Sequence, residues 1–393
     1  MKNKFQSSTV FLLSLLLTVL TFVPCQGSCR HSSLLDNLPD SVYVGNQMFH
    51  VQGLALDRAN DCMYFSFTSM FIKTDLSGKV LATIEGIEGH LGAMTLNPED
   101  GKVYASLECK DDEIGNGIAN KMNVDKVTKG SSVFYIAVID VKKLTRMGMN
   151  PEKDGVMTTV YVKEAAQDYG AVNPDGTDHR YGCSGIDGVT FAPAVGDRSR
   201  KPKLFLYVGY GIYGDLNRKD NDYQVLLQYD VTSWASYERP VKFGQIHSSG
   251  PASPLHKYFL YTGNTNYGIQ NMAYDSFTGK ILLAVYKGRK PQFPNYDLFS
   301  LDVKAKAFSS ALRHDPYSAP VEQLSLAKDG HFDSASGTYG WHFKWGSTGL
   351  CPLGGGYFYI SENSKNKDKT NNCNARLYKW TGSKASPFVE VDR

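Results

Sequence analysis

The sequence predicts an all-β fold: a β-propeller of four-stranded antiparallel blades, with five blades the economical number. Three observations carry this. A strand–turn–strand unit recurs as "GLALDRANDCMYFSFT" (53–68), "GAMTLNPEDGKVYASLE" (92–108) and "NMAYDSFTGKILLAVYK" (271–287). It returns with a longer turn in "GVTFAPAVGDRSRKPKLFLYVGYG" (188–211) and a shorter one in "GLCPLGGGYFYISEN" (349–363). Each copy alternates apolar and polar residues, breaks at Asp, Asn or Gly, and resumes in aromatic and β-branched residues. A third strand then follows every copy, as "FIKTDL", "VFYIAVIDV", "YQVLLQYDV", "YDLFSLDV" and "ARLYKW". A fourth is clearest in "KVLATIE" (79–85), "MTTVYVKE" (157–164) and "SPFVEVD" (386–392). One small sheet cannot bury both of its faces, whereas sheets packed face to face around an axis bury them all.

Taken in order, blades are expected to start near residues 52, 91, 184, 269 and 347. "LHKYFLYTGN" (255–264) is an additional strand that leaves six blades open. "SVYVGN" (41–46) is placed to close the ring against the last blade, and "NKMNVDKVTKG" (120–130) reads as a short helix inserted in blade two. No linker or low-complexity tract interrupts residues 28–393, which are expected to form a single propeller domain.

The first residues, "MKNKFQSSTVFLLSLLLTVLTFVPCQGSCR", place Lys2 and Lys4 before an apolar run from Val10 to Val23. That run is too short to cross a bilayer as a helix and reads as a secretory leader over 1–27, with cleavage near Gly27. A secreted or periplasmic protein is expected. A lipoprotein at the outer membrane is the lesser variant, because neither "FVPC" nor "QGSC" is a good lipid-attachment signal. No other run is long enough to span a membrane, and a monomer is expected.

A net charge of +3 without any basic block excludes electrostatic capture of nucleic acid. The partner is instead a small molecule, a glycan or a peptide. Removing the leader leaves six of the seven cysteines, an even number in an oxidising compartment. Disulfides Cys109–Cys183, Cys351–Cys373 and Cys29–Cys62 are expected. A nucleophilic Cys109 is the sharper alternative.

In such blades the start of strand one and the end of strand two meet on one rim of the central funnel. Strand-one starts bring His50, Gln52, His90, Ser184, Asp187, Gln270, Asn271, Ser347 and Thr348 to that rim. Strand-two ends bring Thr68, Glu108, Tyr210, Tyr286, Lys287, Ser361 and Glu362. Glu108 or Glu362 suits a general acid or base if desolvation raises its pKa, and His50 or His90 needs little tuning for the same task. Lys287 is a further catalytic candidate, and with Arg289 it would neutralise an anionic substrate or oxyanion. Gln52, Asp187, Tyr210, Gln270 and Asn271 are candidate substrate contacts; Gln52 and Gln270 would otherwise clamp neighbouring blades. Tyr267, Trp341 and Trp345 would stack on a flat ligand or else wedge between blades. Asp187 and Glu108, helped by backbone carbonyls, are the candidate calcium ligands. The oxygen-rich loops "ECKDDE" (108–113) and "DLNRKDND" (215–222) suit calcium or plain solvation.

"FHVQGLALD" (49–57) resembles the "F-T-Q-G-L" opening of the plant and bacterial type of glutaminyl-peptide cyclotransferase. The match covers Gln52, Gly53 and Leu54. The resemblance implies a secreted five-bladed propeller that closes an N-terminal glutamine to pyroglutamate. The glutamate that family carries after its first blade's second strand has no counterpart, since "YFSFTS" stands there. The residues thus favour an exported enzyme of hydrolase, lyase or cyclotransferase type, using the funnel. A non-catalytic glycan- or peptide-binding propeller and an interaction scaffold are the alternatives.

Overall fold

Five antiparallel sheets follow one another along the chain, and each innermost strand packs on the next. In the computed structural model, which describes Met1 and residues 34–393, these inner strands are Gly53–Asp57, His90–Leu96, Ile186–Pro193, Thr265–Asp275 and Leu350–Gly354. Each touches its successor, and the fifth touches the first, so the sheets form a ring: a five-bladed β-propeller. The expected leader, Cys25 and Cys29 lie outside the described residues. The propeller is the compact unit Asn37–Arg393; of the other unit, Met1–Asp36, only Met1 and residues 34–36 are described.

Blade one is the plain case, with strands Gly53–Asp57, Cys62–Ser66, Met70–Asp75 and Val80–Glu85 in sequential antiparallel order. The other blades carry insertions that often complete a neighbour. Arg239–Pro240, from blade three, pairs with Met157–Tyr161 at the outer edge of blade two. Val321–Leu324 and Phe308–Ser310, from blade four, extend blade three. His256–Tyr261 is therefore not a sixth blade. It is the fourth strand of blade three, paired antiparallel with Tyr223–Tyr229. Blade five is closed from both ends of the unit. Ser41–Gln47 and Phe388–Glu390 both pair with Asn371–Trp380, as the alternating pattern of residues 41–46 suggested.

The core lies between blades, because successive side chains of a strand point to opposite faces. In Val103–Cys109, Val103, Ala105 and Leu107 pack against blade one with Tyr64, Phe71 and Ile84. Tyr104 packs against blade three with Phe191 and Val208. Inner strands come so close that side chains are excluded locally: a Cβ at Gly53 would sit 2.9 Å from the Ala93 Cα.

The helix of blade two runs over Glu113–Met122, earlier than residues 120–130 suggested. Asp112 caps it by accepting from Gly115 N at 2.8 Å, and Asn123 ends it in the left-handed conformation. The cap at Asp112 outweighs the two glycines that obscure helical periodicity. A second helix, Lys163–Tyr169, follows the fourth strand of that blade. Among the described residues no helix is long and apolar enough to cross a membrane.

Candidate functional site

His90 opens the inner strand of blade two and pairs in register with Glu108, near the end of the second strand. Alternation sends Leu107 and Cys109 toward blade one, and Ser106, Glu108 and Lys110 toward blade three. Glu108 Oε2 accepts from Ile186 N at 2.8 Å, and Ser106 Oγ donates to Asp187 O at 3.4 Å. Lys110 Nζ lies 2.9 Å from Glu108 Oε1 and 3.1 Å from Asp112 Oδ2, and donates to Ser184 O at 2.8 Å. The Glu108 and Lys110 side chains are only 2 % and 3 % exposed. Gly185 makes this approach possible, because with φ at +132° and no Cβ it leaves room for the Glu108 carboxylate.

The other polar groups of the rim converge on this pair. His90 Nδ1 sits 3.2 Å from Asp187 Oδ1 and 3.8 Å from Glu108 Oε1. The ring meets Asp187 off the line of a good hydrogen bond, so both facing atoms are buried without one. Gln270 Nε2 donates to Asp187 Oδ2 at 3.3 Å. Gln52 Nε2 lies 3.0 Å from His50 Nε2 and 3.2 Å from Thr68 Oγ1. Asn271 Nδ2 donates to Gln52 O and Ser347 O, each at 2.9 Å, and so ties the lead-ins of three blades together.

The two histidines are driven apart. Burial lowers the His50 pKa to about 4, with the His90 charge adding to the effect, so His50 is neutral. Burial also opposes charge on His90, but the Asp187 and Glu108 carboxylates outweigh it and hold its pKa above the ordinary value. Burial raises Glu108 above the usual carboxylate range against the pull of Lys110, with Asp187 adding to the rise. Lys110 stays charged: burial works against its ammonium, yet Glu108 and Asp112 more than compensate.

Three donor atoms, His90 Nδ1, Glu108 Oε1 and Asp187 Oδ1, lie within 4.8 Å of one another. Calcium asks for six to eight oxygens. The set offers one nitrogen and two carboxylates, and the Lys110 ammonium already supplies a positive charge beside Glu108. The residues do not fit calcium.

Several candidates stand apart from the cluster. The Tyr210 hydroxyl donates to Asp168 Oδ2 at 2.6 Å inside the core between blades two and three, because its place in the strand gives it that face. Glu362 accepts from the Tyr378 hydroxyl at 2.6 Å and lies 3.8 Å from Arg376, within blade five. Lys287 and Arg289 are exposed. Trp345 is half-buried under the Lys344 ammonium, 4.1 Å from its ring centroid, while Trp341 wedges fully buried between blades four and five. Thr348 and Ser361 bond each other at 2.6 Å.

Among the described residues no disulfide forms: Cys62, Cys109, Cys183, Cys351 and Cys373 are free thiols, and the expected partner Cys29 lies outside the described residues. Cys109 faces blade one, its thiol 3.2 Å from Glu88 O, whereas Cys183 is buried among blades two and three. Cys351 pairs with Tyr359 and Cys373 with Asn363, so a whole strand and an offset along it separate them. Two strand spacings exceed the reach of a disulfide. Burial pushes the Cys109 thiol up to about 12, against a nucleophilic role.

Lys110 is the residue that sequence reasoning missed. "ECK" already carried the signal, since alternation puts positions 108 and 110 on one face.

No protein-family profile matches the chain, and no curated protein does. Many solved chains resemble it, two of them as follows. The PQQ domain of pyranose dehydrogenase from Coprinopsis cinerea, in its holo form, is 11 % identical over 86 % of this chain and 98 % of its own, with a TM-score of 0.33. A protein of unknown function from Bacteroides caccae is 10 % identical over 71 % of this chain and 87 % of its own, with a TM-score of 0.26.

Proposed function

We propose that this is an exported β-propeller enzyme that carries out acid–base chemistry, of hydrolase, lyase or cyclotransferase type, on a polar substrate at the funnel rim. The observation that carries the reading is His90 held between Asp187 and Glu108, with His50 kept neutral beside them. Paired groups whose surroundings push their pKa values apart mark acid and base. In this reading His90 is the acid, its pKa held above the ordinary value by the neighbouring Asp187 and Glu108 carboxylates, and Gln270 in turn steadies Asp187. His50 is the proton acceptor, its Nε2 beside the Gln52 amide. Lys110 and the Ile186 amide hold Glu108 in place. The cyclotransferase variant rests on Gln52, Gly53 and Leu54, and the leader-like first residues support export.

The test is turnover by the wild type against 4-nitrophenyl glycosides, peptide amides, esters and peptides with N-terminal glutamine. A substrate should be found on which His90→Ala and Glu108→Gln lower kcat by about 10²–10⁴-fold. Equal turnover in both variants would remove the proposed roles. A second reading, glycan or peptide binding without turnover, is favoured by the exposed rings of Tyr213 and Tyr267. Binding of oligosaccharide or peptide with no product from any class would establish it.

A further inference from the structure

A cavity of about 570 Å³ lies against blade two, and His90, Glu108 and Lys110 of the funnel cluster are among the residues that line it. Its sheet wall is Leu107, Cys109, Val133 and Tyr135, the side chains that alternation sends toward blade one. Helix Glu113–Met122 roofs it with Ile114, Ile118 and Ala119, and Val124 and Val127 continue the roof. Val241, Phe243 and Ile246 close the third side. Neither insertion belongs to a bare blade, and together they enclose a volume typical of small-molecule sites.

The enclosure is firmly built. Asp112 caps the helix, and Lys121 on its last turn bonds Met48 O and lies 4.3 Å from the Phe49 ring centroid. The strap is pinned where Tyr135 Oη exchanges hydrogen bonds with the His247 backbone at 2.9 and 3.0 Å. The His247 ring lies 2.8 Å from Thr159 Oγ1. The Tyr135, His247 and Thr159 groups are therefore spent on one another, while Leu107, Ile118, Val133 and Val241 supply the apolar part of the lining. Ile114 and Ile246 stay exposed at the mouth, at 38 % and 55 %.

Charged groups of both signs line the cavity. Glu88 and Asp125 line the cavity, and Glu152 bonds Phe243 N of the strap. Burial, then the Glu152 and Asp125 charges, hold Glu88 above the ordinary carboxylate range. Lys126 and Lys242 also line it and are exposed, as Glu88 and Asp125 are, while Lys110 on the lining is neutralised by Glu108 and Asp112.

We infer that this cavity is a binding site for a compact apolar amine, its aromatic or branched body under the helix and its ammonium at Glu88. The site adjoins the funnel cluster, since His90, Glu108 and Lys110 are among its lining residues, but its body lies under the helix and the 241–246 strap. A free amine and the N-terminus of a peptide with an apolar first residue share this chemistry.

Calorimetric titration of the wild type with phenethylamine, with 3-phenylpropionate and with the peptide Phe-Gly-Gly tests it. Phenethylamine or the peptide should bind at least tenfold tighter than the anion, and the tighter of the two identifies the source. Ala119→Trp, which fills the cavity from the helix, and Val127→Trp, which fills it from the loop, should each weaken binding at least tenfold. Glu88→Gln should erase the preference for the cation. Thermal melts identify any filled variant that fails to fold, and the other then decides. Equal affinity for amine and anion in the wild type, no binding of any probe, or full affinity in a folded filled variant overturns the proposal.

Discussion

Replacing His50 by glutamine should remove a specific part of the protein's acid sensitivity. The folded ring titrates at about 4, because burial, then the His90 charge, disfavours its protonated form. An unfolded histidine titrates near 6.5. A base with a depressed folded pKa contributes full stability above the unfolded value and loses it as pH falls through the folded one. Between pH 7 and pH 5 the gap costs about 2 kcal/mol, and by pH 4 about 3 kcal/mol. His50→Gln keeps a polar partner for the Gln52 amide but cannot titrate. Urea unfolding of both proteins at pH 7 and pH 5 isolates the difference, since every other group is common to the two. The variant should lose about 2 kcal/mol less than the wild type over that interval. Parallel losses would refute the reasoning, for they would mean that His50 takes up its proton as easily folded as unfolded.

Lys110→Met should cost about 3–5 kcal/mol at neutral pH, because it strands Glu108 and Asp112 beside each other with Glu108 buried. Adding Glu108→Gln should recover part of that loss in equilibrium unfolding; strictly additive losses would argue against a coupled pair. Gly185→Ala should destabilise by about 1–3 kcal/mol through its left-handed backbone alone, and contact with the Glu108 carboxylate should also weaken any funnel activity. A thermal melt indistinguishable from wild type would contradict this. Alkylation in urea without reductant should label Cys62, Cys109, Cys183, Cys351 and Cys373, as read by peptide mass spectrometry. Unlabelled Cys351 and Cys373 would reinstate a disulfide in blade five.

The ring was legible because each blade repeats the same local problem: two paired strands joined by a turn that only Asp, Asn or Gly fits well. Glu108 and His90 were legible for a related reason, since a register pair near a strand end must lie at the rim. What failed was whatever depends on which face a side chain takes or on contacts distant in sequence. Tyr210 ends a strand as Glu108 does, yet its parity buries it against Asp168. Lys110 looked like part of a solvated loop because the acidic residues after it suggest solvent, although it is neutralised inside the fold. His256–Tyr261 left a sixth blade open beside the expected five because the segment carrying Arg239–Pro240 separates it from its own sheet. An even number of cysteines expresses composition, and composition does not bring sulfurs within bonding distance.

The closure of blade five has a consequence for biosynthesis. Ser41–Gln47 can find its partner only after Asn371–Trp380 has been made, so an early strand must stay unmated while nearly all of the chain emerges. During that wait it offers an open template to any other extended segment. Such long-range pairing also makes the final step of assembly slow. A truncation that removes the last sheet would therefore release the beginning of the propeller as well as its end.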